Sequence, residues 1–124
     1  PGFKFGKYHH LGEQVDPDTV DREPQPKDEE LLRAFAERYF PDGAGPTLML
    51  KGCLFTNSPD GHFILDLHPE HPEVAIAAGF SGHGYKFCSV VGEIMADLAE
   101  RGETGHDIGL FRLGRFGTVT TRDS

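Results

Sequence analysis

The chain has 124 residues, a formal net charge of −8 and 26% charged residues, which suits one domain with a core of modest size. The acidic balance argues against a nucleic-acid-binding protein, because phosphate contacts need clustered Lys and Arg. No apolar run approaches the roughly 18–20 residues that cross a bilayer, and Cys53 and Cys88 are too few for a disulfide scaffold. We therefore expect a protein of the reducing cytoplasm that binds neither nucleic acid nor a membrane.

The first part of the chain predicts an extended segment, a surface connection and a helix. Residues 3–10 begin with alternating apolar and polar residues, as in a half-buried strand. Proline residues and weak periodicity over residues 12–27 indicate an irregular connection. Asp28 is the candidate N-cap residue of a helix that stops before Pro41. The apolar stripe of this helix recurs at i, i+3, i+4 and i+7: Leu32, Phe35, Ala36 and Tyr39.

The middle of the chain predicts a β-hairpin. Residues 47–56 have the composition of a strand, residues 57–61 have that of a tight turn, and residues 62–67 return as a second strand. Residues 68–72 break the pattern, and a further strand is expected over residues 73–78.

A glycine turn at residues 79–84 joins this last strand to a second helix. The helix is expected from Phe87 to about Arg101, followed by a glycine that commonly terminates helices. The tail over residues 112–124 is predicted to be loosely ordered. Because strands and helices follow without regular alternation, the expected fold class is α+β, with a mixed sheet, a β-hairpin and two main helices.

The glycine turn is the candidate binding site that the residues themselves suggest. Glycine lets a ligand approach the backbone, and the start of the following helix offers unpaired N–H groups to an electron-rich ligand. His83 adds a titratable donor and Lys86 a fixed cation. Such turns are more often structural, so the pattern alone suggests a site without defining one.

Two other chemistries stay open at this point. Cys53 and Cys88 are most simply apolar packing residues, and no local motif supports a Cys/His nucleophilic pair. Asp66, His68 and His71 lie within a few residues of one another, as metal ligands can. The prolines between them oppose a helix that would align both imidazoles, which favours a solvated turn.

Two long motifs resemble one family. Residues 53–71 and 77–87 are similar to the C-terminal third of monomeric sarcosine oxidase, and N-methyltryptophan oxidase shares the pattern. Residues 12–22 and 104–108 also fit, so the resemblance covers nearly the whole chain. It implies that this chain forms part of the substrate- and FAD-covering region of a two-domain flavoprotein oxidase.

The resemblance implies a role for each matching residue. Cys53 would carry FAD through a thioether to the flavin 8α-methyl carbon. Lys86 would lie near the flavin and hold a substrate carboxylate, and Gly82 and His83 would line the same pocket. Lys4 would promote the reaction of reduced flavin with O2, with Lys7 as the alternative. The implied reaction is the oxidation of a secondary amine or an N-methyl amino acid, with hydride transfer to FAD and reduction of O2 to H2O2.

The chain also departs from the family pattern. The family histidine follows the oxygen-side lysine by four residues, whereas Tyr8 occupies that position here and His9 comes next. Phe55 replaces a tyrosine, which predicts a different substrate choice.

The GxGxxG dinucleotide motif is missing. We therefore expect residues 1–124 to be a C-terminal fragment that is inactive alone. A metal-binding module of Asp66, His68 and His71, or a non-catalytic domain, is the alternative. The substrate and the oligomeric state are left open.

Overall fold

A computed structural model describes residues 2–117 of the chain. The described residues divide into two compact units, residues 2–54 and residues 55–117. Helix α1 spans Pro26–Tyr39 in the first unit, and strands β1 (Ile64–Leu67) and β2 (Ala75–Ala78) and helix α2 (Cys88–Arg101) form the second. Two main helices and a small sheet confirm the α+β class.

Helix α1 begins earlier than its sequence predicts. Pro26 is its first residue, because the fixed φ of proline suits the first helical turn and its missing N–H would be unpaired there anyway. Asp28 is therefore the third helical residue and not the N-cap. Its carboxylate reaches back to accept a hydrogen bond from the Gln25 backbone N–H at 2.8 Å. The predicted end before Pro41 is confirmed.

Aromatic rings dominate the first unit. Of the predicted helix stripe, Ala36 is buried, while Phe35 and Tyr39 stay about half exposed. The Phe35 ring packs against Phe5 and Phe40 at centroid distances of 6.0 Å. The strand expected over residues 3–10 does not form, and residues 2–54 contain no strand.

The hairpin of the second unit uses a different pair of segments from the predicted one. Strands β1 and β2 pair antiparallel, with Ile64 opposite Ala78. The connection over residues 68–74 is closed by the His68 N–H, which donates to the Val74 carbonyl at 2.8 Å. Within the described residues the sheet is thus antiparallel with two strands, whereas the sequence indicates a mixed sheet.

Residues 47–56 have strand composition but do not enter this sheet. A strand needs a neighbouring backbone as well as suitable side chains. No strand is assigned within this segment among residues 2–117, and Leu48 and Met49 stay 77% and 72% exposed. Just beyond the segment, Asn57 forms an isolated antiparallel bridge with Phe80.

The core of the second unit lies between the hairpin and one face of α2. Leu65 and Leu98 are each 1% exposed and are its largest fully buried side chains. Phe63, Ile94 and Ile108 complete the buried cluster. Gly102 ends α2 in the left-handed conformation, at φ 72°, and its N–H donates to the Leu98 carbonyl. Both the apolar face of α2 and its glycine end confirm the sequence prediction.

Substitution of Leu98 by Ala should destabilise the second unit. Deleting a fully buried Leu side chain typically costs about 2–5 kcal/mol of unfolding free energy. Leu110→Ala is the matched control, because Leu110 is 55% exposed and should change stability by less than about 1 kcal/mol. Urea denaturation of the three chains, followed by circular dichroism, measures both changes. Equal losses in the two variants would contradict this description of the core.

Candidate functional site

A sharp backbone reversal at residues 79–84 carries the candidate site. Gly79, Ser81 and Gly82 all have positive φ, at 61°, 49° and 78°. Ser81 is buried and tolerates this conformation because its hydroxyl donates to the Gly79 carbonyl at 3.0 Å. Its N–H donates to the Thr56 carbonyl at 3.0 Å. The turn is therefore held by its own polar groups and by the segment before β1.

The backbone at the end of this turn packs closely against Phe80, which explains why position 84 is a glycine. A Cβ atom at position 84 would lie 2.5 Å from the Phe80 ring. The chain then forms the short 3-10 turn Tyr85–Phe87 and enters α2. Lys86 is consequently placed directly before the helix, as the strand–turn–helix pattern predicts.

A cavity of about 380 Å³ opens beside this turn. Its volume is within the range of small-molecule sites, roughly 300–1,000 Å³. Most of its wall is aliphatic or aromatic, and its three polar side chains are His62, His83 and Lys86. The apolar part of the wall is formed by Phe63, Leu65, Phe87, Val90, Val91, Ile94, Leu110 and Phe111.

His83 and Lys86 are positioned by different contacts. His83 Nε2 lies 3.3 Å from the Gly61 carbonyl oxygen, which can only accept, so Nε2 carries the proton in this arrangement. The His83 ring also lies against Phe63, with 4.9 Å between ring centroids. Lys86 Nζ lies 5.5 Å from the centre of the Phe87 ring. Within residues 2–117 no carboxylate forms an ion pair with Lys86, so its charge is available to an anionic ligand.

Residues 58–62 form a turn whose Gly61 carbonyl faces His83. This turn is held by Arg115, which the sequence did not single out. Arg115 donates to both Asp60 oxygens, from Nε at 2.7 Å and from Nη2 at 3.1 Å. Hydrogen bonds from Arg115 hold the pKa of the Asp60 carboxyl well below its usual value. Residues 112–117 are thus ordered, contrary to the predicted loose tail, whereas residues 118–124 lie outside the described part. The only signal in the sequence was two arginines, three residues apart, in an acidic chain.

The suggested metal ligands are engaged in other contacts. Asp66 accepts hydrogen bonds from Arg112 Nη1 at 2.6 Å and the Leu113 N–H at 2.8 Å. Burial opposes its ionisation, but these donors hold the pKa of the Asp66 carboxyl below its ordinary value. His68 Nδ1 accepts from the backbone N–H groups of Glu70 and His71. The described residues contain no group of three or more side chains suited to hold a metal ion.

The other predicted residues are exposed. Cys53 and Lys4 belong to the first unit, and Cys53 forms no disulfide. The Cys53 thiol contacts only its neighbour's carbonyl oxygen among the described contacts, with Sγ 3.7 Å from the Leu54 O. Gly82 is part of the reversal but does not line the cavity. The structure brings His83 and Lys86 together at one cavity, and the roles of Lys4, Lys7, Cys53 and Gly82 stay predictions.

The described residues thus place an apolar cavity with a lysine and two imidazoles on an α+β scaffold. Comparison with known proteins identifies the family. A sequence model of the FAD dependent oxidoreductase family matches residues 2–98, so the chain belongs to that family. No helix within residues 2–117 combines the length and the apolar character needed to cross a membrane, and the predicted cytoplasmic location stays a prediction.

Individual relatives share this region. The chain is 53% identical over 116 residues to a monomeric sarcosine oxidase of Bacillus sp. (strain NS-129), covering 92% of this chain and 30% of the relative. It is 38% identical over 126 residues to peroxisomal sarcosine oxidase of Mus musculus, covering 97% of the chain and 31% of the relative. It is 40% identical over 116 residues to N-methyl-L-tryptophan oxidase of Escherichia coli O139:H28, covering 91% and 30%. The chain thus spans about 30% of the length of these relatives.

Substitution of Gly84 by Ala should disturb the turn. The new methyl group would overlap the Phe80 ring, and such overpacking typically costs about 1–3 kcal/mol. Gly92→Ala is the matched control, because nothing lies within 4 Å of a Cβ at this position of α2. Alanine there should stabilise the helix by about 0.5–1 kcal/mol. Urea denaturation midpoints should therefore move in opposite directions, and a shift in the same direction would refute the proposed packing of the turn.

Proposed function

We propose that this chain is the C-terminal part of a FAD-dependent oxidase of secondary amines or N-methyl amino acids. The observation that carries the proposal is the cavity lined by Lys86 and His83, in a chain that belongs to a FAD dependent oxidoreductase family. Relatives named sarcosine oxidase and N-methyl-L-tryptophan oxidase support the substrate class. The longer protein expected to contain this chain is called the parent protein below.

The residues of the chain suit a flavin. The isoalloxazine ring is flat and aromatic and has an electron-rich pyrimidine edge. Phe63, Phe87 and Phe111 give the cavity an aromatic wall, and Lys86 offers a cation without a carboxylate partner among the described residues. Cys53 offers an exposed thiol free of any disulfide. The nucleotide part of FAD would depend on other regions of the parent protein, since this chain lacks the GxGxxG motif.

The bound cofactor would supply the redox chemistry. That chemistry would be the oxidation of the carbon beside the substrate nitrogen by hydride transfer, with reduction of O2 to H2O2, and water would hydrolyse the imine product to an amine and a carbonyl compound. The contribution of the protein is to bind, orient and stabilise charge. Lys86 would pair with the substrate carboxylate and stabilise negative charge at the pyrimidine edge. His83 would shape the same pocket.

Two residues of the first unit complete the proposal. Cys53 would form the thioether to the flavin 8α-methyl carbon, since its thiol is accessible. Lys4 would assist the reaction with O2, because an exposed ammonium group favours the transfer of an electron to oxygen. Lys7, also exposed, is the alternative. A metal-binding module is not favoured, because Asp66 and His68 already serve as hydrogen-bond acceptors in the fold.

The activity test uses the parent protein and a panel of amines. Purified parent protein should release H2O2 with sarcosine, other N-methyl amino acids, or secondary amines, at a rate above that with the matching primary amines. A peroxidase-coupled assay measures the release. Bound flavin is measured separately from the visible absorption spectrum. Absence of both flavin and peroxide would overturn the proposed function.

Replacement of Lys86 by Met should weaken the binding of carboxylate substrates. Loss of a charge-assisted hydrogen bond, worth about 1.5–3 kcal/mol, corresponds to a rise in KM of roughly tenfold or more. Lys51→Met is the matched control, because Lys51 is exposed and lies outside the cavity. Steady-state kinetics on an N-methyl amino acid and on the amine without its carboxylate separate the two contributions. An equal effect on both substrates would argue against a carboxylate contact.

A further inference from the structure

We propose that Asp60 and Arg115 are positioning residues that fix the imidazoles of His62 and His83 at the polar side of the cavity. This inference rests on the proposed function for its kinetic consequence and on the described contacts for its geometry. Neither Asp60 nor Arg115 lines the cavity. Both act through the turn at residues 58–62, which supplies His62 and faces His83.

Arg115 donates three hydrogen bonds to this turn. Its guanidinium donates to both oxygens of Asp60, and Nη2 also donates to the His62 carbonyl oxygen at 3.0 Å. A planar guanidinium with two parallel bonds to a carboxylate fixes orientation as well as distance. The side chain of Arg115 is 13% exposed and that of Asp60 is 35% exposed.

Asp60 also stabilises the turn from within, by accepting a backbone hydrogen bond. Its Oδ1 accepts a hydrogen bond from the His62 N–H at 3.1 Å. The His62 carbonyl also accepts from the Ser58 hydroxyl at 2.6 Å. Both polar groups of the His62 backbone are therefore held, and the direction in which its side chain leaves the backbone is set by Ser58, Asp60 and Arg115 together.

The same turn sets the orientation of His83. Gly61 lies between the two fixed residues and has φ 75°, a conformation that glycine adopts without strain. Its carbonyl oxygen faces His83 Nε2 at 3.3 Å. An imidazole that donates from Nε2 keeps Nδ1 as the acceptor in its neutral form. Loosening the turn would thus release the His83 ring and its preferred proton position together.

A second arginine, Arg112, provides a control that distinguishes positioning of the turn at residues 58–62 from simple attachment of the segment that carries both arginines. Arg112 pairs with Asp66 at 2.6 Å and so ties the same segment to strand β1. None of its described contacts involves residues 58–62. Arg112→Gln therefore removes an ion pair of the same segment and leaves the contacts of Arg115 with residues 58–62 in place. It is the matched control for Arg115→Gln.

The first measurement is the nuclear magnetic resonance of the His83 ring in parent protein labelled with ¹⁵N-histidine. In the unaltered protein the neutral ring should carry its proton on Nε2 and show a nuclear Overhauser contact to the Phe63 ring. Arg115→Gln should lose that contact and shift both ring nitrogens, whereas Arg112→Gln should leave them unchanged. If Arg115→Gln does not accumulate as folded protein, Asp60→Asn replaces it in the same comparison.

The second measurement is anaerobic flavin reduction by an N-methyl amino acid. Arg115→Gln should lower the limiting rate of reduction by about tenfold, because misplacement of a group in the site by a fraction of an ångström slows the reaction. Arg112→Gln should keep the original rate, even where both variants lose thermal stability equally. Identical His83 spectra in the two variants, or equal rate losses, would overturn the positioning role. If the unaltered parent protein shows no reduction, the proposed function fails, and the His83 spectra alone decide the positioning role.

Discussion

The contact between helix α2 and strand β1 is the constraint on which the second unit depends. Leu98 from the helix and Leu65 from the strand are the most completely buried large side chains, and their burial fixes the helix against the hairpin. Because β2 pairs with β1 and leads into the glycine turn, the same contact places that turn beside the start of α2. His83 and Lys86 therefore reach one cavity as a consequence of core packing.

Hydrogen bonds then orient the side chains that the core packing brings to the cavity. The apolar wall sets the position and size of the cavity, and its Phe63 ring packs against the His83 imidazole. The hydrogen bond that directs Nε2 of this imidazole goes to the Gly61 carbonyl, which belongs to the turn held by Asp60 and Arg115. Lys86 differs, since no carboxylate among the described residues pairs with it, and an exposed cation of this kind is suited to a ligand that brings negative charge. The site thus combines one oriented imidazole with one available positive charge.

Local patterns predicted the elements whose cause is local. Helix α2 follows from the 3.6-residue recurrence of its apolar residues and ends at Gly102, and the strand–turn–helix pattern located His83 and Lys86 between β2 and α2. Interactions distant in sequence could not be predicted in this way. The partner of β1 is β2 and not residues 47–56, because pairing is decided by which strand also packs on the helix. Arg115 and Asp60 are 55 positions apart in the sequence, and a periodic sequence pattern does not reveal a pair at such a separation.

The mass of the parent protein after acid denaturation tests the central claim most directly, because it reports the flavin and its attachment in one experiment. The account predicts a mass increased by one FAD, with Cys53→Ser at the mass of the unmodified polypeptide. Cys88→Ser, which alters the other free cysteine, should retain the FAD. An unmodified mass for the unaltered protein, together with no flavin released into the supernatant, would contradict the assignment of this chain to a flavin-dependent amine oxidase.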